Sequence, residues 1–266
     1  MERKEIIERL TALLREAGEI LLGAHAVDPQ DDVQVKPGTA NFVTVYDVKV
    51  QEFLMREIKS LIPDAVFIAE EKENDPAVLN GEYCFIIDPI DGTTNFIHDY
   101  RHSCISLAMV SRGEVVFGAI YTPYLGELFS AEKGAGAYLN GAPMHVSDRP
   151  MELAVAAFGT CPYYKDTLAD KTFAFARDVF LATADVRRLG SAALDLAYLA
   201  AGRNDVFFEF ILSPWDIAAG MLLISEAGGI VTQLDGSPLT LSAPCSVFAG
   251  NGRTHSVLLR MAKKYQ

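Results

Sequence analysis

The chain has 266 residues, of which 50% are hydrophobic and 22% are charged, a composition typical of a globular protein with a substantial core. Its formal net charge of −12 argues against direct binding of nucleic acid, because phosphate backbones are held by clustered Lys and Arg. No apolar stretch approaches the roughly 20 residues that span a bilayer, so we expect no membrane partner.

The N-terminal half predicts two amphipathic helices followed by short strands. Helical periodicity covers residues 1–23, without the continuous apolar region of a secretory signal. It returns over 48–61, directly after Thr44 and Asp47, which form a helix start. Apolar runs separated by turns, including Asn140-Gly141, then predict strands at 65–69, 83–87, 105–110, 115–121, 127–130 and 134–139. The four cysteines lie far apart without zinc-ligand spacing, which favours a reducing compartment, and we expect a cytoplasmic protein.

The C-terminal half alternates strands and helices more regularly. A polar segment at 147–152 predicts a boundary between an N-terminal α+β domain, 1–147, and a C-terminal α/β domain, 148–266. Beyond it the pattern predicts strands at 155–158, 205–210 and 230–234, and helices at 171–180, 191–202, 214–228 and 254–264. The alternation assigns the chain to the α/β class.

Acidic residues follow several of these apolar elements. Asp88 closes one strand, and Pro89, which follows it, lacks the N–H that would continue a ladder, so we expect a turn there that also carries Asp91. Glu70 closes another strand, and Asp216 lies in the first turn of a helix that begins at Pro214. Each residue also has an ordinary explanation, as a turn residue, an exposed charge or a helix-start charge. Together they form a set without His or Cys, which favours Mg²⁺ or Mn²⁺ over zinc and is typical of phosphoryl-transfer sites.

Several segments resemble the inositol monophosphatase family. The two signature motifs of that family are similar to Asp88-Pro89-Ile90-Asp91-Gly92-Thr93-Thr94-Asn95-Phe96 and to Trp215-Asp216-Ile217-Ala218-Ala219-Gly220, which Glu226-Ala227-Gly228-Gly229 follows. Phe67-Ile68-Ala69-Glu70-Glu71 resembles the metal-binding glutamate segment, and Asn41-Phe42-Val43-Thr44 with Asp47 resembles the upstream threonine–aspartate segment. The stretch 188–197 is similar to bacterial members. Departures at 99–101 and 210–212 lie near the expected substrate mouth.

The resemblance implies a layered αβαβα sandwich, a homodimer, and two or three Mg²⁺ ions, with Mn²⁺ as a substitute and lithium as an inhibitor. It implies that Glu70 and Asp88, with the Ile90 carbonyl, hold one metal ion, and that Asp88, Asp91 and Asp216 hold another. Glu70, Thr93 and Asp47 would be the catalytic group, with Thr93 and Asp47 orienting and deprotonating water. The amides of Gly92 and Thr93 would bind the phosphate, and Asp91, Ser191, Ala192 and Glu209 would contact substrate hydroxyls.

The implied activity is hydrolysis of a phosphate monoester by metal-activated water, with myo-inositol 1-phosphate as the expected substrate. Fructose-1,6-bisphosphate and histidinol phosphate remain open as alternatives, because fold and motif do not decide a substrate. Thr93-Thr94-Asn95-Phe96 differs from the Thr-Lys-Glu-Phe sequence of the nucleotide 3′-phosphatase branch, which is therefore disfavoured. A different class also stays open: an accessory binding module for transcription, as one bacterial relative serves. A calcium site is disfavoured, since no EF-hand spacing appears.

Overall fold

Two large β-sheets and seven α-helices make up the part of the chain that is described, residues 3–24, 32–36 and 42–266 of a computed structural model. The helices are α1 Arg3–Leu22, α2 Val45–Leu61, α3 Thr93–Ile97, α4 Lys165–Ala182, α5 Ala192–Ala200, α6 Pro214–Glu226 and α7 His255–Ala262. The strands are β1 Val33–Val35, β2 Phe42–Thr44, β3 Val66–Ala69, β4 Cys84–Asp91, β5 Cys104–Ser111, β6 Glu114–Thr122, β7 Glu127–Glu132, β8 Gly136–Leu139, β9 Ala142–Met144, β10 Val155–Phe158, β11 Asp185–Arg187, β12 Val206–Leu212, β13 Ile230–Thr232 and β14 Cys245–Gly250.

Strand order determines which chain segments meet. The seven-stranded sheet has the order β3-β4-β5-β6-β7-β8-β9, and within it β3 and β4 are parallel. The five-stranded sheet has the order β11-β10-β12-β14-β13, and β10 is parallel to both β11 and β12. Parallel strands end at the same edge, which in open α/β sheets is where ligands bind. The loops after β3 and β4, and those after β10, β11 and β12, are therefore the places to look for a site.

Among the described residues, three hydrophobic clusters pack the helices against the sheets. One packs α1 and α2, through residues such as Leu13 and Leu54, against one face of the seven-stranded sheet. The second holds α5 and α6 between the two sheets, and the third packs α4 and α7 on the outer face of the five-stranded sheet around Phe175 and Phe208. The layers thus follow the order helix, sheet, helix, sheet, helix, and the predicted αβαβα sandwich is confirmed.

Most predicted elements are confirmed, and the exceptions have physical causes. The strand that was expected to turn at Pro89 instead continues to Asp91, with a register irregularity between Asp88 and Asp91 that accommodates the missing N–H. Helix α4 begins six residues earlier than predicted, because its first turns are exposed and carry no apolar periodicity. Strand β14 was not predicted, although it is almost wholly buried between β12 and β13.

The division at residue 147 coincides with the passage from the seven-stranded to the five-stranded sheet, since β9 ends at Met144 and β10 begins at Val155. One hydrophobic cluster spans both sheets, so the two-domain division stays a prediction. Among the described residues, no helix combines the length and the apolar character that crossing a bilayer requires.

Candidate active site

Asp47 is fixed at the start of α2 by a capping box. Its Oδ2 atom accepts hydrogen bonds from Thr44 N at 2.7 Å and from Thr44 Oγ1 at 2.6 Å, and Thr44 Oγ1 in turn accepts from Asp47 N. The other oxygen, Oδ1, lies 3.5 Å from Thr93 Oγ1. Burial raises the pKa of Asp47 to about 6, against the opposing effect of the Thr44 hydrogen bonds. One oxygen of this carboxyl group is thus structural, and the other faces Thr93.

Glu70 follows β3 and is held in place through its backbone neighbours. The Asn74 side chain brackets Ala69, accepting from its N–H at 2.9 Å and donating to its carbonyl at 2.8 Å. Gln51 of α2 brackets Glu71 in the same manner, at 2.9 and 3.1 Å. These two clamps fix the backbone on both sides of Glu70. Its side chain is only 14% exposed, and Lys36 Nζ lies 3.7 Å from Oε1.

The end of β4 places three site residues within one turn. Ile90 N donates to Asp88 Oδ1 at 3.0 Å, and Thr93 Oγ1 donates to Ile90 O at 3.0 Å. Gly92 adopts a left-handed conformation with φ of 91°, and a Cβ there would lie 3.0 Å from His102 O and 3.2 Å from Gly190 O. Only glycine therefore lets the strand turn into α3 at this point.

Asp91 connects the two halves of the chain. Its Oδ2 atom accepts hydrogen bonds from Ser191 Oγ and from Ala193 N, both at 2.6 Å, at the N-terminus of α5. These bonds lower the pKa of Asp91, but burial outweighs them and the pKa is raised. The arrangement commits one oxygen to α5 and leaves Oδ1 for the site.

Asp216 enters from the C-terminal half, in the first turn of α6. Its Oδ2 atom accepts from Ser213 N at 2.7 Å, which fixes the side chain against the helix start. Asp88, Asp91 and Asp216 each present a carboxylate oxygen within 4.8 Å of the other two. Glu70 is outside this group of three, although it lines the same cavity. Three aspartates that are separated by up to 128 positions in the chain thus converge on one point.

Burial and mutual repulsion disfavour the charged forms of these carboxyl groups. Burial raises the pKa of Glu70 to about 8, with Lys36 opposing and Glu71 adding to the effect. Burial, followed by the neighbouring carboxylates, raises the pKa of Asp88 and of Asp216 well above the usual range. Clustered oxygen ligands without His or Cys suit a hard divalent cation, and its positive charge offsets this repulsion. Glu70, Asp88, Asp91 and Asp216 therefore fit a metal site of the Mg²⁺ type.

A cavity of about 460 Å³ opens over the carboxylates. Its lining combines polar side chains, among them Glu209, Asp195 and Arg188, with apolar ones such as Ile211 and Trp215. Glu209 Oε1 accepts from Cys161 N at 2.8 Å, and burial raises the pKa of Glu209 to about 7. A Cβ on Gly159 would lie 1.7 Å from Glu209 Oε2, so the carboxyl group packs directly on that glycine.

The residues that the sequence predicted for the site line this cavity or lie directly behind it, although Ser191 contacts Asp91. Glu70, Asp88, Ile90, Asp91, Gly92, Thr93, Ser191, Ala192, Glu209 and Asp216 all line this cavity, and Asp47 lies behind Thr93. Ser191 is buried, and its hydroxyl donates to Asp91, so a direct contact between Ser191 and a substrate stays a prediction. Asn41, part of the upstream segment, lies outside the described residues.

Sequence reasoning did not single out three residues that line the cavity. Lys36 pairs with Glu71 and approaches Glu70, Arg188 Nη2 donates to Thr160 Oγ1 at 2.8 Å, and Tyr163 follows β10. Arg188 and Tyr163 lie beyond the carboxyl ends of parallel strands, and this position is the signal that points to them. Lys36 carries no such signal, because it follows β1, a three-residue strand that pairs antiparallel with β2.

Comparisons with known proteins agree with this geometry. A family model described as "Inositol monophosphatase family" matches residues 2–266. A Thermotoga maritima protein named fructose-1,6-bisphosphatase/inositol-1-monophosphatase is 36% identical over 252 residues, covering 95% of this chain and 93% of that protein. The Vibrio cholerae protein named Nus factor SuhB is 39% identical over 227 residues, covering 84% and 82%. The structure of a Thermotoga maritima IMPase superposes with a TM-score of 0.87 at 35% identity, covering 97% of each chain.

Proposed function

Because this chain belongs to the inositol monophosphatase family, a family of phosphatases, we propose that it hydrolyses myo-inositol 1-phosphate to inositol and phosphate with Mg²⁺ as cofactor. The observation that carries the proposal is the convergence of Asp88, Asp91 and Asp216 within 4.8 Å beneath a cavity large enough for a small phosphate ester. We also propose the homodimer and the cytoplasmic location that the family resemblance implies, and Mn²⁺ as a substitute cation.

The residues divide into a metal-binding set and a proton-handling set. Glu70, Asp88 and the Ile90 carbonyl would hold one cation, and Asp88, Asp91 and Asp216 would hold another. When bound, such cations lower the pKa of water and stabilise charge on the leaving oxygen. The backbone amides of Gly92 and Thr93 would receive the phosphate.

Thr93 and Asp47 form the proton route. Thr93 Oγ1 lies 3.5 Å from Asp47 Oδ1, the oxygen that the capping box leaves free. We assign the first proton transfer to this pair: the Thr93 hydroxyl turns its proton from the Ile90 carbonyl to Asp47 Oδ1 and passes it there, as Thr93 Oγ1 accepts a proton from the attacking water. A carboxyl group with a pKa of about 6 accepts a proton near neutral pH more readily than an ordinary aspartate.

The polar side chains that line the cavity support a polyol as the alcohol part of the ester. Glu209 has one oxygen bound to Cys161 N, and its second oxygen would accept from a substrate hydroxyl. Asp91, Ser191 and Ala192 would add to this contact set. A buried acceptor that loses its partner is costly, so an ester without matching hydroxyls should be a poorer substrate.

A second substrate is favoured by a specific observation. Arg188 lines the cavity near Glu209, and its guanidinium group would match a second phosphate. The Thermotoga maritima relative is named for fructose-1,6-bisphosphate as well as for inositol 1-phosphate. Fructose-1,6-bisphosphate is therefore the alternative substrate on the same site.

A function of another class is suggested by the Vibrio cholerae relative, which is named as a Nus factor. Under that alternative the chain would act as an accessory binding module in transcription. Co-purification with RNA polymerase or its elongation factors would support it, and a clean negative result would remove it.

Phosphate release decides among the enzymatic proposals. The assay compares inositol 1-phosphate, fructose-1,6-bisphosphate and histidinol phosphate, each with Mg²⁺ and with EDTA. Mg²⁺-dependent turnover that favours inositol 1-phosphate is the expected result. Turnover of the bisphosphate alone would keep the chemistry and overturn the substrate, and no turnover of any ester would overturn the proposed function.

A further inference from the structure

Tyr163 lies on a turn whose backbone is unusually constrained. The turn follows β10, and Cys161 adopts the left-handed conformation, with φ of 45°, that non-glycine residues seldom occupy. Cys161 N donates to Glu209 Oε1 at 2.8 Å, and Tyr164 N donates to Cys161 O at 2.8 Å. Pro162 then begins a 3₁₀ helix over Pro162–Tyr164. Strain of this kind persists only where surrounding contacts hold it, and it is concentrated at functional sites.

Tyr163 lines the same cavity as Glu70, Asp88, Asp91 and Asp216. After burial, the charges that act on it most strongly are those of Glu70, Asp216, Asp88 and Asp91, and together they raise the pKa of the phenol. The residue is 47% exposed and lines the cavity. Its hydroxyl forms no hydrogen bond with any residue that the structure describes. A protonated donor without a partner among the described residues thus lies in the same cavity as the four candidate metal ligands.

We propose that Tyr163 contacts the substrate, donating a hydrogen bond from its hydroxyl to a phosphoryl oxygen of the ester. The proposal rests on the proposed function, because it requires a phosphate group at the carboxylate cluster. The four carboxylates that act on the phenol are those that would bind cations and, through them, the phosphoryl group. Tyr163 lines the same cavity as these four carboxylates, so its phenol shares the space in which a cation-bound phosphoryl group would lie.

This contact has a distinct signature across substrates. A hydrogen bond to the phosphoryl group is common to every phosphate ester and to free inorganic phosphate, whereas a hydrogen bond to the alcohol differs from ester to ester. Removal of the hydroxyl should therefore weaken all esters by a similar factor and weaken phosphate as well. A neutral donor to a charged acceptor contributes about 1.5–3 kcal/mol, which corresponds to roughly 10–100-fold.

The test compares Tyr163→Phe with Tyr138→Phe. The control removes a hydroxyl that donates to Ala135 O at 2.9 Å in a surface hairpin away from the cavity. Two quantities are measured with Mg²⁺ present: kcat/KM for inositol 1-phosphate, fructose-1,6-bisphosphate and p-nitrophenyl phosphate, and the Kd of inorganic phosphate by calorimetry. Melting temperatures establish that both variants fold.

Tyr163→Phe is expected to lower kcat/KM at least about tenfold for every cleaved ester and to weaken phosphate binding comparably, while Tyr138→Phe changes neither. Unchanged phosphate affinity in Tyr163→Phe would overturn the proposal, and a loss confined to one ester would assign the phenol to the alcohol instead. The calorimetry needs no turnover. If the wild-type protein binds phosphate but cleaves no ester, the proposed function is overturned, and the phosphate affinity of Tyr163→Phe still decides the role of Tyr163. If the wild-type protein does not bind phosphate, both proposals are overturned.

Discussion

The candidate site joins two regions that are built in different ways. At the start of α2 and at the ends of β3 and β4, carboxylates are fixed by clamps: Asp47 by Thr44, and the backbone around Glu70 by Asn74 and by Gln51 of α2. Across the cavity, the turns after β10, β11 and β12 are fixed by contacts between distant segments, such as Glu209 with Cys161 N. The first region is rigid and holds charge, whereas the second determines what lies against that charge. Chemistry should therefore be lost when a member of the carboxylate cluster is changed, including Asp216, which the second region supplies, whereas substrate preference should change through the other residues of the second region.

Asp216 gives the largest expected effect, because it supplies the chemistry from the second region. Asp216→Asn should lower phosphate release more than about 100-fold. Loss of a residue that only hydrogen-bonds to a metal ligand already costs ~10–100-fold, and Asp216 would be a ligand itself. Asp148→Asn is the matched control, with a side chain that is 92% exposed. Circular dichroism should show both variants folded. Near-normal turnover by Asp216→Asn would break the comparison, because the carboxylate cluster would then not carry the chemistry.

Thr93 tests the proton route within the rigid region. Thr93→Ala should lower kcat by about 100-fold with little change in KM, because general acid–base catalysis contributes ~10²–10⁴-fold. Thr93→Ser retains the hydroxyl that faces Asp47 Oδ1 and should recover most of the rate. Steady-state kinetics of both variants checks this. Equal losses in the two would show that the methyl group, and not the hydroxyl, is what the site requires.

Glu209 sharpens the comparison from the specificity side. Glu209→Gln keeps an oxygen for Cys161 N but removes the charge, so kcat/KM for inositol 1-phosphate should fall about tenfold relative to that for p-nitrophenyl phosphate. The ratio between the two esters is the measurement, because it cancels general losses. A uniform loss on both esters would place Glu209 with the chemical region instead.

A smaller effect is expected in stability, as a shift of melting temperature by several degrees. Burial raises the pKa of Glu70 to about 8 in the folded metal-free protein. Between the ordinary pKa of Glu and a pH of about 8, the folded protein therefore binds more protons than the unfolded chain. Stability should therefore fall as pH rises from about 5 to 8, since the unfolded chain ionises more readily in that window. Calorimetry without metal checks the slope, and Glu70→Gln should flatten it. Added Mg²⁺ should restore stability at the high-pH end, whereas a slope of opposite sign would contradict the buried cluster.

The rigid region could be predicted because its information is local in the chain. Asp88, Asp91, Gly92 and Thr93 lie in one continuous motif, and the Thr44–Asp47 helix start is a recognisable pair. The family resemblance assigned roles to these positions, and hydrophobic periodicity indicated the strands and helices that present them. The family resemblance also implied the layered fold, whereas the length of β4 and the existence of β14 were not predicted.

The other region could not be predicted to the same depth, since it depends on contacts between segments that are distant in sequence. Nothing in the sequence indicates that Asp91 anchors Ser191, 100 positions away, or that Glu209 packs on Gly159. Tyr163 lines the cavity from a turn with a left-handed backbone at Cys161, a conformation that the sequence does not indicate for a cysteine. Such residues can be identified as parts of the site only from the structure, in which the strand ends lie close together.

The central claim is that the carboxylate cluster binds the cations that hydrolysis of a phosphate monoester requires. Crystals soaked with Mn²⁺ and inorganic phosphate, measured by anomalous scattering, test it most directly. The account predicts an anomalous peak bounded by Asp88, Asp91 and Asp216, with phosphate between that peak and Tyr163. A well-ordered cluster with no peak at a saturating Mn²⁺ concentration, or ordered phosphate elsewhere in the molecule, would contradict it.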